Sequence, residues 1–259
     1  MRITPTAEPS RAPLPRRVMT FVIAALLSVA AGGPVSAQQN APEQSSLQAA
    51  YNAAIYDAAV YKISNLRQLR PLKFDPKTGA ASVVQLTDYT GYARGDNKLS
   101  REVWVTGAPE VQERCRGFSG DVEMRLRQLF GFPPDYPITH FVLMEVKEKD
   151  VFRPAADGNT QTTLPCSCPM PVSCGEAFPA RVSPEHVRWF ADQMLAAYLL
   201  REASWIRSGF PWTRLGYTYD WKPGADRYGA SEYVIRPGSV VTVNDIKPIK
   251  DYCGPPKQP

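Results

Sequence analysis

Ser231-Glu232-Tyr233-Val234-Ile235-Arg236-Pro237-Gly238-Ser239-Val240-Val241-Thr242-Val243-Asn244-Asp245-Ile246 is the stretch on which the fold class turns. β-branched and aromatic residues fill both sides of Pro237-Gly238, so 231–236 and 239–246 read as two strands joined by a tight turn. Upstream, Leu215 to Trp221 gives another strand, which makes the C-terminal end a meander. Before it, Ser183-Pro184-Glu185 combines a capping serine, a proline at the first helical position and an acid in the first turn. That pattern predicts a long helix to about Arg207, stopped by Gly209 and Pro211. Ile138 to Val146 is continuously apolar at Phe141-Val142-Leu143-Met144, which predicts a buried strand in the middle of a sheet.

Towards the N-terminus, Leu99 to Thr106 reads as a strand between turn residues at Gly95-Asp96-Asn97 and Gly107. Ser82 to Thr87 is a shorter strand after the turn Asp75 to Gly79. Pro109 opens a helix to Cys115 or Arg116, and Asp121 caps another with Val122, Leu126, Leu129 and Phe130 inward and Glu123, Arg127 and Gln128 outward. Leu47, Tyr51 and Ile55 recur at helical spacing, predicting a helix from Leu47 to about Lys62. Residues 152–183 hold five prolines and three cysteines without periodicity, a long loop of the kind that is functional or pinned by crosslinks. Together these predict a single α+β domain, mostly antiparallel sheet with a long helix and a proline- and cysteine-rich loop, rather than a doubly wound sheet.

The chain has 259 residues and a formal charge of +5. Residues 1–37 read as a signal peptide: four arginines precede the uncharged run Val18 to Ala31, which ends in the small-x-small pattern Val35-Ser36-Ala37. The run is shorter than the roughly 20 apolar residues of a membrane span. The general secretory route is expected; Arg16-Arg17 admits a twin-arginine route, but the Phe-Leu that should follow the pair is missing. The expected division is then 38–46 flexible, 47–253 one α+β domain and 254–259 a flexible tail. Of the 30 basic and 25 acidic residues, 26 and 24 lie beyond residue 37, so the exported chain carries only +2. A nearly neutral surface argues against nucleic acid as a partner, and no later segment is long and apolar enough to predict a membrane span.

Five cysteines beyond the signal suit a periplasmic or secreted protein. The expected bridges are Cys115 to Cys253 and Cys174 to Cys166 or Cys168, although spacing alone leaves the connectivity open. Neither a metal centre nor a cofactor is expected. The loop cysteines lack paired C-x2-C spacing, and the two histidines lie elsewhere. His140 begins a strand, and His186, in the first turn of a helix, is expected to face solvent.

Hydrolase, phosphate-loop, dinucleotide and calcium motifs are absent; Gly117-Phe118-Ser119-Gly120 is one residue short of a nucleophile elbow. The densest unusual segment is Gly209 to Trp221, in which Trp212, Arg214, Tyr217, Tyr219, Asp220 and Trp221 are the candidate ligand-binding residues. On a strand, Leu215, Tyr217, Tyr219 and Trp221 share one face and Arg214, Thr218 and Asp220 the other. Ring stacking beside an acid and a base suits a glycan or peptide; the alternative is an aromatic layer packed on the long helix, with Arg214 and Asp220 as an ion pair.

Glu232 followed by strand, Pro237-Gly238 and strand resembles the last hairpin of ADP-ribosyltransferase folds, in which Glu232 corresponds to the acid that positions the NAD ribose. The resemblance covers one hairpin, and the Ser-Thr-Ser strand of those folds has no counterpart here. Lys149-Asp150-Val151-Phe152-Arg153-Pro154 and the Trp212 to Trp221 segment are similar to segments of exported bacterial proteins of uncharacterised function. That likeness, from Val103 onward, implies an exported bacterial single domain and brings no activity. The expectation is therefore a non-catalytic binding or accessory factor of the bacterial envelope, whose partner is cell-wall glycan or peptide or another envelope protein. The alternative is an extracytoplasmic hydrolase using Glu145, Asp220 or Glu232 with Arg214.

Overall fold

A computed structural model describes residues 40–164, 178–179, 181–198 and 209–255. The expected signal peptide, Cys166, Cys168, Cys174 and the last part of the helix expected to reach Arg207 lie outside them. The elements run α1 (Asn40–Ala59), β1 (Ala80–Thr87), β2 (Gly95–Lys98), β3 (Val103–Gly107), α2 (Glu110–Cys115), α3 (Val122–Phe130), β4 (His140–Lys147) and β5 (Val151–Phe152). They continue with α4 (Pro184–Ala197), β6 (Tyr217–Tyr219), β7 (Tyr228–Ile235), β8 (Val240–Pro248) and α5 (Ile249–Tyr252). The fold is α+β: one eight-stranded antiparallel sheet in the order β2-β8-β4-β1-β3-β7-β5, with β6 beside β7.

The expected meander is not how the sheet is built. β7 pairs with β3, β5 and β6, and β8 pairs with β2 and β4, so the two strands flanking Pro237-Gly238 never touch as a ladder. This topology dictates the sheet's shape. The links β2 to β3, β4 to β5 and β7 to β8 each join strands four spacings apart in the order, about 19 Å across a flat sheet. The link between β4 and β5 is only Glu148–Asp150, whose reach is about 14 Å. The sheet must therefore roll until these ends meet. Backbone bonds tie the three links together: Arg236 to the Asp150 carbonyl at 2.8 Å, Gly238 to that of Leu99 at 2.8 Å, and Leu99 to that of Ser239 at 2.9 Å. The concave side is one apolar cluster with Val83, Val105, Met144, Val151, Tyr233, Ile235, Val241 and Val243 from six strands.

The convex side is covered by helices. α2, α3 and α5 pack over Val84, Leu86, Phe141 and Ala230. The Cys115–Cys253 disulfide lies in this layer, joining α2 to the turn after α5 across 138 residues. α4 covers the other half of that face, where Trp104, Phe190 and Trp212 meet. α1 packs Tyr51, Ile55 and Ala58 on Tyr219 and Trp221.

Both expected caps form: Asp121 accepts from the Met124 amide, and Ser183 from the His186 amide. Other expectations need correction. α1 starts at Asn40, so much of the segment expected to be flexible is helical. Gly95–Lys98 is an edge strand rather than a turn, because its backbone pairs with Val240–Val243. Gln128 is buried, its carbonyl accepting from the Trp221 amide at 3.2 Å. His186 is 7% exposed: the loop after β5 folds back over the start of α4, and its Nε2 lies 2.8 Å from the Ala155 carbonyl. Burial holds its pKa below the usual histidine value.

Candidate functional site

The segment proposed from sequence to bind a ligand is core. Trp212, Arg214, Tyr217, Tyr219, Asp220 and Trp221 are all 5% exposed or less. Only Tyr217–Tyr219 are strand; Arg214 at φ 60° and Gly216 at φ 77° turn the chain first, so the expected alternation of faces is broken. Five of the six spend their polar atoms inside the chain. Tyr217 Oη donates to the Asn65 carbonyl at 2.6 Å, Tyr219 Oη to Asp57 Oδ2 at 2.9 Å, and Trp221 Nε1 to the Phe132 carbonyl at 2.9 Å. Arg214 does not pair with Asp220. Its Nη2 donates to the Ala59 carbonyl at 3.1 Å beneath the Tyr198 ring, while Asp220 is gripped bidentately by Arg125 at 3.0 and 2.5 Å. Trp212 meets Trp189 and Trp104 edge-on and Phe190 at a tilt, and its Nε1 has no hydrogen-bond partner among the described residues. The hollow beside the segment, lined by residues including Tyr61, Lys62, Thr213, Tyr217 and Arg227, is about the size of one water.

Arg153, quoted above only within a motif, anchors this region. It is fully buried and donates to the carbonyls of Gly216 at 3.0 Å, Arg70 at 2.8 Å and Thr160 at 3.3 Å, and to Tyr233 Oη at 3.0 Å. Its guanidinium lies 4.6 Å from the Tyr233 ring centre. Gly216 is obligatory on two counts: its positive φ, and the 2.5 Å that would separate a Cβ from Arg153 Cδ.

The candidate catalytic carboxylates have separate surroundings. Asp220 is held by Arg125, and Glu145 Oε1 accepts from Asn244 Nδ2 at 3.3 Å. Glu232 stands opposite Thr106 on the convex face. The residue is partly accessible, but its Oε2 is sealed from solvent and has no hydrogen-bond partner among the described residues. Burial raises its carboxyl pKa to about 8, so it is protonated at neutral pH. The ADP-ribosyltransferase likeness falls away with the hairpin, since the strand bearing Glu232 pairs elsewhere.

One polar group that the sequence reading missed sits at the edge of the α4 layer. Glu102, just ahead of β3, is partly exposed and accepts from Trp104 Nε1 at 3.1 Å, Trp189 Nε1 at 2.8 Å and Gln193 Nε2 at 3.2 Å. Trp104 and Trp189 are half-buried with ring centres 6.0 Å apart, and Phe152 meets Trp189 edge-on at 4.6 Å. Nothing local joins Glu102 to residues on α4, so only the docking of that helix creates the cluster. Its sequence signal, Glu102 two residues before Trp104, was visible but weak.

Among the described residues no group of three or more His, Cys, Asp and Glu side chains could hold a metal ion, and no helix is long and apolar enough to cross a membrane. No protein-family model matches the chain, and neither does any curated protein or solved structure.

Proposed function

We propose that this chain is an exported, disulfide-stabilised binding or accessory factor of the bacterial envelope, acting in the periplasm or outside the cell without catalysis, on cell-wall glycan or peptide. The observation that carries this reading is the cluster of Glu102, Trp104, Trp189 and Gln193, which offers partly exposed indole rings beside a fixed carboxylate. Such a surface gives stacking area at low conformational cost and a polar group to orient the ligand. The Cys115–Cys253 bridge is consistent with an oxidising compartment. The test is co-sedimentation of the mature protein with purified cell-wall sacculi. Saturable binding, weakened in Trp189→Ala with the fold verified by circular dichroism, is expected; no saturable binding by the folded wild type sinks the reading.

A second reading, an extracytoplasmic hydrolase, draws on Glu232, whose buried Oε2 has no hydrogen-bond partner among the described residues and whose carboxyl would serve as a general acid once substrate reached it. Soluble fragments released from sacculi by wild type but not by Glu232→Gln would establish it.

A further inference from the structure

Glu102 is held in an unusual way. Three donors fix its two oxygens, and all three are neutral: the indole N–H groups of Trp104 and Trp189 and the side-chain amide of Gln193. Neutral donors orient a carboxylate without cancelling its charge. Among the described residues no Lys, Arg or His lies within ion-pair distance of it. Arg101, its neighbour in the chain, lies 5.9 Å from the Tyr89 ring centre, and Arg236 lies 4.6 Å from that of Phe152.

The walls of this position suit the same charge. Trp104 and Trp189 are half-buried, and indole faces are the strongest aromatic partners for a cation. A cation–ring contact adjoins this position within the chain, since the buried Phe152 ring beneath Arg236 packs edge-on against Trp189. Oxygens held by three donors do not need to reorganise when a ligand arrives, which lowers the cost of binding.

We propose that Glu102, flanked by Trp104 and Trp189, is a receptor for a primary ammonium group presented by a peptide. This rests on the binding-factor reading above and deepens it, assigning recognition to an amine of the cell-wall peptide rather than to its sugars. Trp104 and Trp189 supply the ring contacts, and Gln193 is a positioning residue that fixes the carboxylate.

The experiment titrates the full mature protein with Nα-acetyl-lysine N-methylamide and, in parallel, with the uncharged analogue Nα-acetyl-norleucine N-methylamide, which lacks the amino group, following tryptophan fluorescence. Saturable change with the lysine derivative, at least tenfold weaker with the norleucine one and weakened by added salt, is expected. Glu102→Gln, which loses the charge and keeps one acceptor oxygen where the carboxylate has two, should bind the lysine derivative at least tenfold more weakly in a protein whose fold is verified by circular dichroism. Equal responses to the two probes, or no response to either, overturn the proposal without recourse to any variant. Sacculus binding that persists undiminished in a folded Glu102→Gln protein overturns it too, while leaving the envelope reading intact. Lysine-derivative binding by a protein that ignores sacculi supports the receptor and removes the envelope reading alone.

Discussion

Glu232 ties a single atom to a measurable property of the protein. Its carboxyl ionises near 8 in the folded chain against an ordinary value of 4.5. The unfolded chain therefore loses its proton first as pH rises. The contribution to stability is complete below about pH 4.5, declines by up to ~1.4 kcal/mol per pH unit, and is gone above about pH 8. Glu232→Gln removes the titration, so urea unfolding at pH 5, 6.5 and 8 should give a flatter profile and a variant more stable than wild type at pH 8. An unaltered slope would show that the carboxyl is not buried as described. Arg153 is buried too, but its charge is met by carbonyl dipoles and the Tyr233 hydroxyl. Arg153→Ala strands those acceptors and opens a cavity, and should cost about 3–5 kcal/mol in urea unfolding. Arg153→Lys should recover only part of that loss, since one ammonium cannot reproduce the planar fork. Neither role is legible in the sequence, where Glu232 reads as the opening of a strand and Arg153 as part of a loop.

At the scale of elements, local chemistry was a good guide to ends and a poor one to neighbours. The Ser183 cap is worth about 1 kcal/mol, and Ser183→Ala should lower stability by that amount while Ser183→Gly lowers it less. A loss under a few tenths of a kcal/mol in both would mean that α4 is held by packing alone. The same helix shows the limit of local reading. Its dipole argued for an exposed His186, but the loop after β5 buries that ring under Trp189 and Phe152. Likewise, alternating β-branched residues made β7 and β8 strands, and Pro237-Gly238 fixed the turn between them. Which ladders they joined depended on partners more than a hundred residues earlier, such as Val103–Thr106 for β7.

For the molecule as a whole, the Cys115–Cys253 bridge closes a loop that contains most of the sheet. In the chain-entropy view such a closure is worth about 5 kcal/mol. Cys115→Ser, Cys253→Ser and the double variant should therefore lose stability by similar amounts, and reduction of wild type should match them. A double variant twice as destabilised as either single would mean that the two side chains act separately. The sequence by itself determined the α+β class, both helix caps and the central position of β4, because each depends on residue periodicity or turn chemistry; the Cys115–Cys253 pairing was one of several that the cysteine spacing allowed, and the structure selected it. Only the tertiary structure decided that the sheet rolls, that the aromatic segment from Trp212 to Trp221 is core, and that Glu102 meets Trp189 and Gln193. Those outcomes depend on which surfaces exclude water together once distant segments pack, and burial of that kind is a property of the assembled chain.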